Sequence, residues 1–291
     1  MRSSAASDVY KRQKYVSGAF EQRYNELVAE GYGMENDPDE YIAENVFFVP
    51  DNARWNVIAS AAHSAEIGMV IDDAMRAIEK ENDRLKNVLP KIYASPDLDK
   101  RVLGEVVDLF TNINMYEQGD DKDLLGRTYE YCISQFAAYE GVKGGEFYTP
   151  SSIVKTIVAI LKPFENCRVY DPCCGSGGMF VQSAQFIKAH AGSINKVSVF
   201  GQESNADTWK MAKINMAIRG IDANLGPHQA DTFHEDLHKH QKFDFIMANP
   251  PFNLSNWGAE HLKDDVRWKY GMPPAGNANY AWICLLYTSP S

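Results

Sequence analysis

The chain has 291 residues, 45% hydrophobic and 23% charged, with a net charge of −10 and five cysteines. This is ordinary globular composition for about two domains, and it excludes a disordered chain, a collagen-like repeat and a small disulfide scaffold. No apolar run reaches the ~18–20 residues that span a bilayer, and the polar start Met1-Arg2-Ser3-Ser4 has no apolar stretch behind it to act as a secretion signal. A cytoplasmic protein without membrane attachment is expected.

The acidity at first argues against a nucleic-acid partner, because phosphate binding leaves a basic footprint. The charge is unevenly spread, however: +2 over residues 1–13, −13 over 14–140 and +1 over 141–291. The acidity belongs to the first half and excludes nothing for the second. The cysteines, at positions 132, 167, 173, 174 and 284, form no Cys-x-x-Cys pair, so reduced thiols are expected rather than disulfides or a zinc site.

Residues 14–140 read as helical. Ile67, Ile71, Ala74 and Ile78 recur at helical steps within Ser64 to Leu85, and Leu98, Val102, Val106, Leu109 and Ile113 predict a second amphipathic helix. A third is expected over Lys122 to Tyr139, burying Leu125, Tyr129, Ile133 and Phe136. The acidic residues suit a solvated outer face, with docking of a basic partner as the alternative. Gly141-Val142-Lys143-Gly144-Gly145 marks a boundary between a helical domain, 14–143, and a second domain, 144–283.

Beyond the boundary, helices and strands alternate. Helices are predicted over Ser151 to Leu161, Gly178 to His190 and Asp207 to Arg219. The first carries Ile153, Ile157, Ile160 and Leu161 and is capped by Thr149 or Ser151. Strands are predicted over Arg168 to Asp171, Val197 to Glu203 and Phe243 to Ala248, the last a near-continuous apolar run of the kind buried on both faces of a sheet. This alternation implies an open parallel α/β sheet.

The chemistry concentrates where strands end. Asp171-Pro172-Cys173-Cys174-Gly175-Ser176-Gly177-Gly178 joins a strand to a helix, where glycines let backbone approach a ligand and a strand-end acid can accept from ligand amino or hydroxyl groups. A dinucleotide fingerprint would need a third glycine where Phe180 stands, and a phosphate-binding P-loop would need Lys where Met179 stands. A nucleoside-like ligand without phosphate remains, and S-adenosylmethionine fits.

Glu203, one strand–helix unit later, can accept both hydroxyl hydrogens of a ribose, although strand-end acids also serve as helix caps. Asp231, at the end of a further strand, could accept from an adenine amine; taken alone it reads as a helix cap.

Asn249-Pro250-Pro251-Phe252 follows the last predicted strand. An exocyclic aromatic amine is a poor nucleophile because its lone pair is delocalised into the ring. Two acceptors on its hydrogens, the Asn249 side-chain oxygen and the Pro250 carbonyl, favour a pyramidal nitrogen that can attack a methyl sulfonium. The prolines stiffen the turn, and Phe252 offers a face for a flipped base. A merely structural turn is the alternative.

With this string the chain resembles amino-group methyltransferases, and more specifically the modification (methylation) subunits of type I restriction-modification systems, which are adenine-N6 DNA methyltransferases. The resemblance covers about Lys14 to Ile283. It includes Lys14-Tyr15-Val16-Ser17, Gly145-Glu146-Phe147-Tyr148-Thr149-Pro150, the glycine turn, Gly201-Gln202-Glu203, the string from Asn249, and Gly276-Asn277-Ala278-Asn279-Tyr280-Ala281-Trp282.

It implies an open Rossmann-like S-adenosylmethionine-dependent methyltransferase sheet preceded by an all-helical N-terminal domain. It implies cofactor contacts at Phe147, Thr149, Asp171, Gly175, Gly177, Glu203 and Asp231, and base activation at Asn249, Pro250 and Phe252. The implied activity is methyl transfer from S-adenosylmethionine to adenine N6 in duplex DNA, with a specificity subunit and a restriction subunit as partners. Action on RNA or protein glutamine, or an inactive cofactor-binding fragment or interaction module, are the alternatives.

Cys173-Cys174 departs from the family's usual small residue or Thr before Cys. Pro172-Cys173 resembles the nucleophile of cytosine-C5 methyltransferases, but it lies in the cofactor turn, and Asn249 holds the position after the last strand. The histidines at 228, 234, 238, 240 and 261 show no convincing ligand spacing, so no metal is expected. Residues 1–13 and 284–291 do not match the family and read as foreign read-through. The sheet is expected to stop after its fourth strand, with Phe243 to Ala248 as an exposed apolar edge.

Overall fold

The computed structural model describes residues 2–112, 149–191 and 197–288, and the chain divides into two compact units, Met1–Cys132 and Ile133–Ser291. The expected helix Lys122 to Tyr139, the boundary glycines at 141–145 and Phe147 lie outside the described residues.

The first unit contains helices α1 (Arg2–Glu30), α2 (Pro38–Ile42), α3 (Trp55–Ser60), α4 (Ile67–Glu81) and α5 (Lys100–Thr111). Residues 2–13, read above as foreign, run within α1. In α4 the four apolar positions picked out by periodicity, Ile67, Ile71, Ala74 and Ile78, are all buried. Asn82 closes this helix: its amide nitrogen donates to the carbonyls of Ile78 and Phe48 at 2.7 and 2.9 Å, and its oxygen accepts from the Phe48 N–H at 3.0 Å.

The buried Asp72 carboxylate accepts the N–H groups of Tyr93 and Ala94 at 3.0 and 3.1 Å, which fixes that segment against α4 where Gly68 leaves room for the Tyr93 carbonyl. In α5 the buried stripe is Leu103, Val107 and Phe110, one step round from the predicted one; Val102 and Leu109 are exposed. Gly104 decides the rotation. A side chain there would meet the Ala62 carbonyl oxygen at 2.2 Å, so the face with the glycine turns inward.

The second unit holds α6 (Ser151–Leu161), β1 (Cys167–Asp171), α7 (Gly178–Ala191), β2 (Val197–Gly201), α8 (Ala206–Ile218), β3 (Ala223–Asn224), β4 (Phe245–Ile246) and α9 (Asn279–Thr288). The strands are parallel in the order β3-β2-β1-β4. Strand order thus grows outward from β1 to β2 and β3, then switches to the other side of β1. Open α/β sheets bind ligands at such a switch point, outside the carboxyl ends of the strands. One core joins Val154 and Val158 of α6, Phe180, Ala184 and Ile187 of α7, and Trp209, Ala212 and Met216 of α8 to Val169 and Val199 of the sheet.

In this unit too, expectations are corrected. In α6, Val154 and Val158 are buried while Ile153 and Ile160 are exposed, because this helix carries more apolar residues than one stripe needs and period alone could not choose the inner face. Pro150 occupies the N-cap position with no side-chain cap, so neither Thr149 nor Ser151 caps α6. The second strand stops at Gly201, two residues short, because its partner β1 ends at Asp171: the Gln202 N–H still donates to the Asp171 carbonyl, and beyond it the chain faces the turn after β1 rather than a strand.

The last strand is shorter than its apolar run: β4 pairs with β1 alone and is an edge among the described strands, with Phe245 and Ile246 half-buried. A second cluster, built on Phe233, Trp257, Trp268 and Trp282, draws on the β3–β4 loop, the loops beyond β4 and α9, and also buries Leu285, a residue of the 284–291 tail read above as foreign. No described helix is long and apolar enough to cross a membrane.

Candidate active site

The site is assembled at the carboxyl ends of three strands. Register pairs Asp171 with Gly201 and Tyr170 with Ile246, so the turn after β1, Glu203 after β2 and Asn249 after β4 emerge at one edge. The turn after β1 is held by its own backbone and by its neighbour. The Cys174 N–H donates to the Gln202 carbonyl at 2.9 Å, the Gln202 N–H donates to the Asp171 carbonyl at 3.0 Å, and the Gly177 N–H reaches the Cys174 carbonyl at 2.9 Å. Gly175 and Gly177 have φ of 54° and 84°, left-handed values that cost a residue with a Cβ roughly 1–2 kcal/mol. At Gly177 a Cβ would also sit 2.8 Å from the end of Met216.

Thr149, Asp171, Cys174, Gly175, Ser176 and Asn249 line one narrow cleft, open to solvent. Within it the Asn249 amide nitrogen donates to the Thr149 hydroxyl at 3.0 Å. Thr149 therefore spends its side chain on Asn249 rather than on capping α6. The bond also sets the direction of the amide, leaving its oxygen as the acceptor still to be used.

Asp171 is 2% exposed and accepts from the Cys173 N–H at 2.9 Å. Burial pushes its carboxyl up to about 7; the Cys173 hydrogen bonds oppose the shift and the nearby Glu203 charge adds to it. Burial, then the Asp171 charge, holds the Cys173 and Cys174 thiols well above the usual range, so neither is a thiolate nucleophile.

The other anticipated residues surround this cleft rather than line it. Glu203 stands behind the turn, accepting from the Gly175 N–H at 3.0 Å and the Asn205 N–H at 2.8 Å, and burial raises its pKa. Gly177 shapes the turn. Asp231 closes a turn, not a strand or a helix: its carboxylate accepts from the Phe233 N–H at 2.9 Å and pairs with the His234 ring at 3.0 Å, and the strand before it, β3, ends seven residues earlier at Asn224. A bond from the Ala230 N–H to the Glu203 carbonyl, 2.9 Å, brings this turn beside the end of β2. Pro250 is half-buried, and Phe252, 76% exposed, projects its ring into solvent. Phe147 lies outside the described residues.

Spacing could not reveal several residues that hold this site. Arg267 donates to the Thr232 carbonyl at 2.6 Å and to the Phe233 carbonyl, while Asp265 anchors its guanidinium at 2.7–3.1 Å. The same pair holds the Asp265 carboxyl below its usual range. Asn253 and Asn279 exchange hydrogen bonds directly after Phe252. Asn279 belongs to the Gly276–Trp282 segment already singled out, but nothing in the sequence names its partner. No group of three or more metal-binding side chains occurs among the described residues.

Comparison with known proteins gives a consistent picture. The N-6 DNA methylase family model matches residues 120–290, and the HsdM N-terminal domain model matches residues 13–110. The type I restriction enzyme HindI methylase subunit of Haemophilus influenzae is 46% identical over 267 residues, covering 84% of this chain and 59% of that protein. The MjaIX methylase subunit of Methanocaldococcus jannaschii is 36% identical over 295 residues, covering 97% of this chain and 52% of that protein.

The chain thus spans between about half and three fifths of the length of these relatives. Among solved structures, the type I restriction-modification methyltransferase subunit from Streptococcus thermophilus matches with a TM-score of 0.75 at 22% identity, over 99% of this chain and 66% of that one. At that identity the likeness speaks for the fold.

Proposed function

The chain belongs to the N-6 DNA methylase family, alongside the methylase subunits of type I restriction enzymes, and from that premise we propose that its second unit transfers a methyl group from S-adenosylmethionine to the N6 amine of adenine in duplex DNA. One observation carries the reading: the Asn249 amide, turned by Thr149, opens onto the same cleft as the glycine turn and Asp171 at the switch point of the sheet.

The residues present suit that cofactor. Glycines at left-handed φ keep the turn free of side chains, Asp171 puts a carboxyl in the cleft, and Glu203 is one hydrogen bond away behind Gly175. Asp171, Gly175 and Thr149 would hold it, with Glu203 and Asp231 next to them and Phe147 from the preceding segment. Gly177 shapes the turn. When bound, S-adenosylmethionine supplies an electrophilic methyl group on a sulfonium.

The chain's own part is to prepare the amine. The Asn249 oxygen accepts one amine hydrogen and the Pro250 carbonyl the other, which draws the nitrogen toward a pyramidal geometry with its lone pair free. Phe252, already exposed, stacks on the extruded base. The protonated Cys173 and Cys174 leave no thiolate for a covalent route, so attack is direct and in line. Sequence choice would fall to a specificity subunit, with a restriction subunit completing the assembly; a second half at +1 net charge needs that help in holding DNA.

The test uses the intact subunit assembled with its specificity subunit and supplied with tritiated cofactor. Label on adenine N6 is expected. Label on cytosine, or none on DNA, would overturn the reading.

A further inference from the structure

The Asn249–Phe252 string cannot hold its own shape by backbone hydrogen bonds, because Pro250 and Pro251 have no N–H to donate. Its geometry must come from its two ends. At the leading end, Asn249 is tied to Thr149. At the trailing end, the Asn253 N–H donates to the Asn279 side-chain oxygen at 2.8 Å, and the Asn279 side-chain nitrogen donates back to the Asn253 oxygen at 3.0 Å. One residue further on, the Ala278 N–H donates to the Leu254 carbonyl at 2.9 Å.

The far side of this clamp is rigid. Asn279 opens α9, the Asn277 side chain accepts its N–H at 3.1 Å, and Ala281, Trp282 and Leu285 behind it are buried in the aromatic cluster. Asn253 itself has φ of 56°, a left-handed conformation that Asn tolerates and that turns its side chain back toward α9. Phe252 gains little from packing, since its ring is 76% exposed.

We propose that Asn279, acting through Asn253, is a positioning residue for methyl transfer: the reciprocal pair fixes the loop that aims the Pro250 carbonyl and the Phe252 ring at the target base. This rests on the methyl-transfer reading above. A displacement of about 1 Å in groups that must meet a reacting amine can cost on the order of a hundredfold in rate, whereas cofactor held by the turn after β1 would not sense it.

The experiment uses the full-length subunit in its assembled complex, with Asn279→Ala, Asn279→Asp and Asn253→Gly variants. Asn279→Asp keeps an acceptor for the Asn253 N–H. Asn253→Gly keeps the left-handed backbone without strain and deletes one of the two bonds. Asn279→Ala is expected to lower kcat roughly 10- to 100-fold, leave the S-adenosylmethionine Kd within about twofold, and weaken the fluorescence of 2-aminopurine placed at the target base. Asn279→Asp should recover most of the rate, and Asn253→Gly should fall between.

An unchanged kcat overturns the proposal. So does a loss of cofactor affinity and thermal stability in step with the rate, or an Asn279→Asp variant no better than Asn279→Ala. A wild-type complex that leaves adenine unmethylated overturns the functional reading and this role with it, a failure seen in the wild type rather than in the variants.

Discussion

An Asp171→Asn substitution separates the charge of this carboxyl from its shape. The side chain is 2% exposed, and burial pushes it from 3.8 up to about 7, with the Glu203 charge behind it. The folded chain therefore binds this proton more tightly than the unfolded chain does. Below about pH 4 the group is neutral in both states; between pH 4 and 7 it loses stability for the fold as pH rises, to roughly 4 kcal/mol above pH 7.

A cationic cofactor stabilises the carboxylate and must displace that proton. S-Adenosylmethionine should bind the wild type with a plateau near pH 8 and about tenfold more weakly at pH 6, where about one carboxyl in ten is ionised. An amide in its place still accepts from the Cys173 N–H but cannot ionise. Asp171→Asn should weaken the plateau, flatten the pH dependence between 6 and 8, and raise the melting temperature of the ligand-free chain at pH 8 more than at pH 4. Calorimetric titration across this range, with thermal melts at both ends, reads all three effects. A wild-type affinity flat from pH 6 to 8, or an Asp171→Asn variant that keeps the wild-type slope, would refute the reasoning.

Thr149→Val removes the hydroxyl that receives the Asn249 amide at 3.0 Å, and should lower kcat about fivefold, the worth of one hydrogen bond near 1 kcal/mol, while Thr149→Ser keeps the rate; equal turnover of Val and Ser variants would deny the contact. Gly68→Ala in α4 would gain about 1 kcal/mol from helix propensity in an open helix, but its Cβ would lie 2.0 Å from the Tyr93 carbonyl oxygen, which Lys100 and Asp72 hold in place. Denaturant unfolding should report a net loss of about 2–3 kcal/mol, and a stabilised variant would contradict this packing. Phe252→Ala should leave stability within about 0.5 kcal/mol, because the ring is 76% exposed, yet reduce kcat/KM on DNA by roughly 5- to 150-fold, the range of one lost base stack. Phe252→Tyr should retain activity, and an Ala variant as active as wild type would remove the ring from the site.

These cases also show what the sequence discloses. The turn after β1 and the string from Asn249 were legible because their constraints are local: glycines at left-handed φ, prolines without donors, and an acid ending a strand act within a few residues. The α4 face was legible because Asp73, Arg76, Lys80 and Glu81 mark its outer side, which left one continuous apolar stripe to bury. The faces of α5 and α6 were not. Both helices carry more apolar residues than one stripe needs, and the choice fell to contacts outside them, at Gly104 against Ala62 and at Val154 and Val158 in the core. The short β4 was overread for a similar reason: an apolar run reports burial, whereas strand length needs a partner, and β1 supplies it for only two residues.

The least legible parts are the ones that aim the chemistry. The Thr149–Asn249 bond joins residues 100 positions apart, and the Asn253–Asn279 pair joins residues 26 apart. Thr149 read locally as a helix cap, a sound inference for a Thr before an apolar helix, until a distant amide claimed its hydroxyl. The first bond ends on the four-residue string itself and the second on Asn253, directly after it. A motif written in consecutive residues thus identifies the reaction, but its aim is held by side chains that topology brings in from the segment before the sheet and from the helix after it. Exchanging Asn249 would abolish the chemistry; exchanging Thr149 or Asn279 should leave its parts in place and cost rate through misalignment. The turnover of the Asn279 variant, measured beside unchanged cofactor binding, separates holding the loop from acting on the base.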